Sequence, residues 1–202
     1  MPPVELDLRR LDPGEAPRRD KLAAAETADA LVVRGPVAAL NAVLALLLKT
    51  GRNAVVPVAW APTRDKESAA LADALGVGTG RPRDLTLVRD DHGGVLLHHG
   101  RLESADGGRL SSRVGLRAYH DDIKVADGDV TRIDVRPDWS AVDTIGVTVM
   151  VQPLRPTRRT SGRALQVASD PARIVRDGVP YGRPVQRWTW YADERVRWRL
   201  EP

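Results

Sequence analysis

Four groups of residues in this sequence have types and spacings that could do chemistry. The first is the turn Gly35-Pro36, set between a short apolar run, Ala30–Val33, and a Leu/Ala-rich stretch, Val37–Leu48. Strand, tight glycine turn and helix together present a helix N-terminus to an anion. Pro36 suits the first turn of such a helix, where its missing N–H would lack a partner anyway. A phosphate loop, however, uses several glycines so that backbone N–H groups can approach the oxygens. Gly35 stands alone. The second group is Asp177-Gly178, which taken by itself is a hairpin-turn dipeptide. The third is His98-His99 with His120-Asp121-Asp122, imidazole and carboxylate groups able to ligate a metal if the fold gathers them. Adjacent histidines on a strand point to opposite faces, so only one of the pair could join a site, and no metal is expected. The fourth is the basic run holding Arg155, Arg158, Arg159 and Arg163, a surface suited to phosphates of lipid or nucleic acid. Its default reading is a solvated, flexible hairpin loop.

Composition narrows these options. The chain has 202 residues, enough for one large or two small domains. With no cysteine, it has neither a disulfide nor a thiolate nucleophile or metal ligand. The apolar stretch at 37–48 is too short to span a bilayer, and the N-terminus lacks an apolar signal core. The expected location is therefore the cytoplasm or the periphery of a membrane. From Val151 onward eleven arginines face five acidic residues, so positive charge collects in the last third. That surface could meet an anionic membrane; nucleic acid is the less favoured partner. No Gly-x-Ser-x-Gly elbow or His-Glu-x-x-His helix is present, so hydrolase chemistry has no support.

The elements that must position these groups follow from periodicity. Val4–Leu8 alternates as a strand with one exposed face. Glu15–Thr27 reads as a surface helix, Ala30–Val33 as a strand, and Val37–Leu48 as a buried helix closed by Gly51. Asn53–Val58 reads as a third strand, the stretch from Pro57 to Arg64 as a loop, and Asp65–Leu75 as a helix ending at Gly76. Alternating strands and helices argue for a parallel α/β sheet. Leu85–Val88 and Val95–His98 flank the turn Asp91-His92-Gly93-Gly94. Beyond about residue 92 the texture changes to short β-type runs between Gly, Asp and Pro turns: Leu116–Tyr119, Val130–Val135, Ile145–Gln152, Ala164–Val167, Val185–Tyr191 and Val196–Leu200. This predicts a β-sandwich. Trp188 and Trp190 on one strand face, opposite Val196, Trp198 and Leu200, are expected to pack as one hairpin.

The order of these features resembles the diacylglycerol kinase catalytic-domain family, the bacterial lipid kinases related to NAD kinases and sphingosine kinases. That family carries Gly-Gly-Asp-Gly-Thr followed by Leu-Asn-Glu-Val. In this chain Gly35-Pro36-Val37-Ala38-Ala39 is followed by Leu40-Asn41-Ala42-Val43, so Gly35, Leu40, Asn41 and Val43 hold the frame. The family's Pro-x-Gly-Thr-Gly-Asn-Asp segment aligns with Pro57–Pro62 before a helix ending Leu75-Gly76. Its Asp-Gly-Glu aligns with Asp177-Gly178-Val179. The resemblance implies an α/β nucleotide-binding-like domain at 1–92, truncated at its first strand, and a β-sandwich domain at 93–202. It further implies nucleotide contacts at Gly35 and Asn41 and a general base at Asp177.

The departures shape the expected function. Val37 stands at the family's Asp, which the resemblance assigns to the Mg²⁺–nucleotide site, and valine has no oxygen to offer magnesium. Pro36 and Ala38 replace glycines, removing one N–H and adding a Cβ. Trp60 stands in the second loop, without its glycines and Asn-Asp. The expectation is a degenerate lipid-kinase-like protein that needs no cofactor and serves as a binding or regulatory protein, with a lipid or membrane surface, or a second copy of itself, as partner. Two alternatives stand beside it: an active, divergent lipid or NAD kinase using ATP and Mg²⁺, and a peripheral protein binding anionic membranes or nucleic acid.

Overall fold

The computed structural model describes residues 2–12, 14–106, 112–152 and 158–202. The chain opens with β1 (Val4–Asp7), whose apolar and acidic residues alternate. The expected helix over Glu15–Thr27 is only one turn, α1 (Arg19–Leu22), running into a 3₁₀ turn at Ala23–Glu26. Leu22 and Ala25 are the only buried residues of these two turns, too few to hold a longer helix to the core.

β2 (Leu31–Gly35) leads through Pro36 into α2 (Val37–Lys49), as its glycine, proline and apolar stripe predict. The next strand is displaced from its expected position. Asn53–Val56 forms a tight turn in which the Arg52 carbonyl accepts the N–H groups of Val55 and Val56. β3 occupies Val58–Pro62 instead, within the expected loop. Proline stands at its last residue and just before its first, where the missing N–H costs no interior ladder bond. α3 (Lys66–Leu75) has the Asp65 side chain accepting the Ser68 N–H at its N-terminus, and Gly76 in the left-handed conformation at its C-terminus.

Among the described residues, the regular elements that follow are all strands: β4 (Arg83–Asp90), β5 (Val95–Leu96), β6 (Gly100–Ser104), β7 (Val114–His120), β8 (Ile123–Val130), β9 (Arg132–Pro137), β10 (Ile145–Met150), β11 (Arg158–Gly162), β12 (Ala164–Arg176), β13 (Val179–Pro180) and β14 (Val185–Glu201). The expected strand Val130–Val135 breaks at Thr131, whose N–H turns to the Met150 carbonyl. The expected tryptophan hairpin is one continuous strand, β14. Its register against β4 shifts between Asp193 and Arg197, which lets it bend from one core into the other.

β1, β2, β3 and the end of β14 pair in parallel; the pairings beyond are antiparallel. The fold is thus an α/β layer continuing into a β-sandwich, the class the sequence predicts. Its two cores interleave along the chain. One holds the buried faces of α2 and α3 with Leu31, Val33, Trp60, Val95, Leu97, Trp198 and Leu200. The other holds Leu102, Ile133, Val147, Leu165, Ile174, Trp188 and Trp190. β4, β5 and β14 contribute residues to both.

Candidate functional site

The crevice at the C-terminal ends of parallel strands is where open α/β sheets hold ligands, and here it is formed by the turns after β1, β2 and β3. Gly35 ends β2 in close quarters. A Cβ on it would stand 2.9 Å from the Ala39 Cβ and 3.0 Å from the Leu8 carbonyl oxygen. Its own carbonyl accepts the Trp60 indole N–H at 3.0 Å and the Thr63 N–H at 3.3 Å. The residue that most resembles a phosphate-loop glycine is thereby committed to bringing β1, β2 and α2 together.

The α2 N-terminus is engaged by the protein's own side chains. Val37 donates its N–H to the Ser68 hydroxyl at 3.2 Å, and Ser68 is fully buried. Thr63 lies 3.3 Å from that hydroxyl and donates to Asp65 at 2.6 Å. Asp65 also accepts the Ser68 N–H at 2.9 Å. Burial raises the Asp65 carboxyl, but its bonds from Thr63 and Ser68 outweigh this and hold it below the usual range. Pro36 has no N–H and Val37 has no oxygen-bearing side chain, so the turn supplies neither a glycine cradle nor a magnesium ligand. These turn residues do not fit a Mg²⁺–nucleotide.

Asp177 faces the same crevice. It and Gly178 both adopt positive φ, 47° and 82°, in a two-residue turn between β12 and β13. The turn reading is therefore correct, and the side chain does more. Its Oδ1 accepts the N–H groups of His98 at 2.8 Å and His99 at 2.9 Å. Its Oδ2 accepts the Leu97 N–H at 2.9 Å and the Asn41 amide at 2.5 Å. Burial pushes the carboxyl up from the ordinary carboxylate range, and these four donors pull against it. Four donors match the four lone-pair positions of a carboxylate. Asn41 also donates to the Val95 carbonyl at 2.7 Å.

Asn41 and Asp177 are thus joined directly, and Gly35 stands just ahead of the helix that carries Asn41. Beside them lies a cleft of about 510 Å³ lined by Leu11, Pro36, Val37, Ala38, Thr63, Asp65 and Asp177, among others. Four carboxylates on it, Asp12, Asp65, Glu67 and Asp177, face Lys66 and Arg9, and Arg9 is already held by Asp7 at 2.6 Å.

With this geometry in place, the likeness to known structures is informative. A diacylglycerol kinase from Bacillus anthracis strain Sterne superimposes with a TM-score of 0.65 at 8% identity, over 89% of this chain and 79% of that one. An NAD kinase from Archaeoglobus fulgidus, in complex with ATP, gives 0.56 at 13% identity over 88% and 79%. A yeast NADH kinase, complexed with NADH, gives 0.56 at 12% over 86% and 61%. This chain has the diacylglycerol kinase and NAD kinase fold. No protein-family model matches it, and no curated protein does.

The other candidate groups are dispersed over this kinase-like fold. His99 bonds Asp134 at 2.9 Å, whereas His120 is buried and bonds Thr160 at 2.6 Å. Among the described residues, no group of three or more His, Asp or Glu side chains is placed to hold a metal. Of the basic run, Arg155 lies outside the described residues. Arg158 and Arg159 are on β11 rather than in a loop, and β11 ends the sheet. Arg158 donates to the Lys124 carbonyl, while Arg163 pairs with Asp143 at 2.9 Å and Glu194 at 3.7 Å. Charged residues on a terminal strand discourage edge-to-edge pairing. No helix is long and apolar enough to cross a membrane among the described residues. Sequence reasoning missed Thr63, Asp65 and Ser68 as partners of the turn; the Asp65-x-x-Ser68 capping pattern was the available signal.

Proposed function

We propose that this kinase-fold protein does not transfer phosphoryl groups and acts instead as a binding or regulatory protein through the crevice at Gly35, Ala38 and Asp177. The observation that carries this is the Val37–Ser68 hydrogen bond. In a kinase the helix N-terminus must be available to phosphate, and here Ser68 already takes its leading N–H. Phosphoryl transfer depends on positioning and on electrostatic stabilisation by metal and donors. The carboxylates around this cleft oppose a polyphosphate instead. Gly35 and Asn41 are the remnant of a nucleotide site, kept for packing and for holding Asp177.

The competing reading, a divergent but active lipid or NAD kinase, draws on the cleft that sets Asp177 beside the turn after β2. Against it, Asp177 could accept a substrate proton only by releasing one of its four donors. Melting the protein with and without ATP and Mg²⁺ separates the two readings. The non-catalytic reading expects no rise in melting temperature, and the kinase reading a rise that grows with ATP concentration.

A further inference from the structure

The crevice continues past the carboxylate-lined cleft into an open basin of about 690 Å³, lined by Asp7, Leu8, Arg9, Arg10, Leu11 and Lys21. Arg9 and Leu11 line both cavities, so the two are contiguous. Charge is divided between them. In the basin Arg9 is neutralised by Asp7. Arg10 and Lys21 have no carboxylate at ion-pair distance among the described residues, and both side chains are exposed. Leu11, Pro36, Val37 and Ala38 form an apolar floor within the acidic cleft, and Leu11 also lines the basin.

We infer that this double cavity binds a phosphomonoester with an uncharged body, its dianion held by Arg10 and Lys21 and its body lying on Leu11, Pro36, Val37 and Ala38. Two cations match a dianion, and a guanidinium fork and an ammonium are the side chains that recognise phosphate oxygens. The anion is bound at the turn after β1, away from the α2 N-terminus. The four carboxylates of the cleft set the specificity: they tolerate a neutral body and repel a chain of further phosphates. Any phosphomonoester shares this chemistry, whether a soluble compound or a lipid headgroup.

The inference rests on the reading of the protein as a binding protein, but its failure is separately visible. The probes are phenyl phosphate, inorganic phosphate, benzyl alcohol, and phosphatidylcholine vesicles with and without a phosphomonoester lipid. Phenyl phosphate is expected to raise the melting temperature more than inorganic phosphate at equal concentration, and benzyl alcohol to leave it unchanged. The double variant Arg10→Ala/Lys21→Ala, both positions being exposed and without ion pairs, should weaken phenyl phosphate binding about tenfold or more. Ala38→Trp, which fills the floor, should reduce phenyl phosphate to the level of inorganic phosphate. Preference for the vesicles over phenyl phosphate, lost in the double variant, would identify the lipid headgroup as the source; the reverse preference would identify a soluble compound. No response to phenyl phosphate or to the phosphomonoester vesicles, or equal responses in wild type and double variant, would overturn the inference. Neither outcome touches the absence of phosphoryl transfer, which an ATP assay reads independently.

Discussion

The side-chain amide of Asn41 on α2 donates to the carboxylate of Asp177, 136 positions along the chain in the β12–β13 turn. The same amide donates to the Val95 carbonyl, and the same carboxylate accepts three successive N–H groups, Leu97 to His99. Asp177 therefore ties α2, the segment between β5 and β6 and the turn at the end of β12 into one joint.

Replacing Asp177 by Ala should cost stability. Several donors would be left buried without an acceptor, a loss of about 3 kcal/mol or more. Asp177→Asn keeps a turn that Asn-Gly favours, but sets an amide N–H₂ against N–H donors, and should also destabilise. Urea denaturation of both variants checks this; wild-type stability in either would mean that the four bonds do not hold the joint.

Gly35→Ala tests whether the turn glycine is a packing residue. The added Cβ meets Ala39 and the Leu8 carbonyl at 3.0 Å or closer, and overpacking of this kind costs about 1–3 kcal/mol. Thermal denaturation should show the loss without any change in response to ATP.

Ser68→Ala removes the acceptor of the Val37 N–H from a fully buried position. The expected cost is about 1–2 kcal/mol. Removing that acceptor leaves Pro36 and Val37 in place, so ATP with Mg²⁺ should still fail to stabilise the variant. A gain of ATP binding would show that Ser68 alone closes the site.

Acid should weaken the fold through His120 and His98. Burial lowers both from the ordinary histidine value of 6.5, with the Arg136 charge adding to the effect at His98; Asp121 and the Gly162 backbone partly oppose it at His120. A depressed folded value means that the stability these groups contribute is complete above the unfolded value. It is lost as pH falls from there through the folded value. Melting curves between neutral and mildly acidic pH should show this decline, and His120→Gln, which can bond Thr160 but cannot take a proton, should make it shallower.

Much of the framework was legible from local chemistry. Gly35-Pro36 marked the start of α2, Asp65 and Gly76 bounded α3, and Asp177-Gly178 marked its hairpin, because each residue satisfies a backbone demand of its own neighbourhood. What escaped depends on distant partners. Asp193-Glu194-Arg195 reads as a turn, yet Asp193 is buried and held by Arg89 at 2.7 Å and Arg195 at 3.1 Å, so β14 runs on. Ala59-Trp60-Ala61 reads as a loop between prolines, yet Trp60 is buried and bonded to Gly35. The bond at the α2 terminus joins Val37 and Ser68, residues 31 positions apart; the Asp65-x-x-Ser68 cap marks the start of α3 but not its partner.

The most direct measurement is transfer of the terminal phosphoryl group of ATP, with Mg²⁺, to diacylglycerol presented in vesicles, using labelled ATP. A closed α2 terminus and a saturated Asp177 predict no product above the level without protein, in wild type and in Asp177→Asn alike. Metal-dependent product formed by wild type and lost in a folded Asp177→Asn variant would contradict this account.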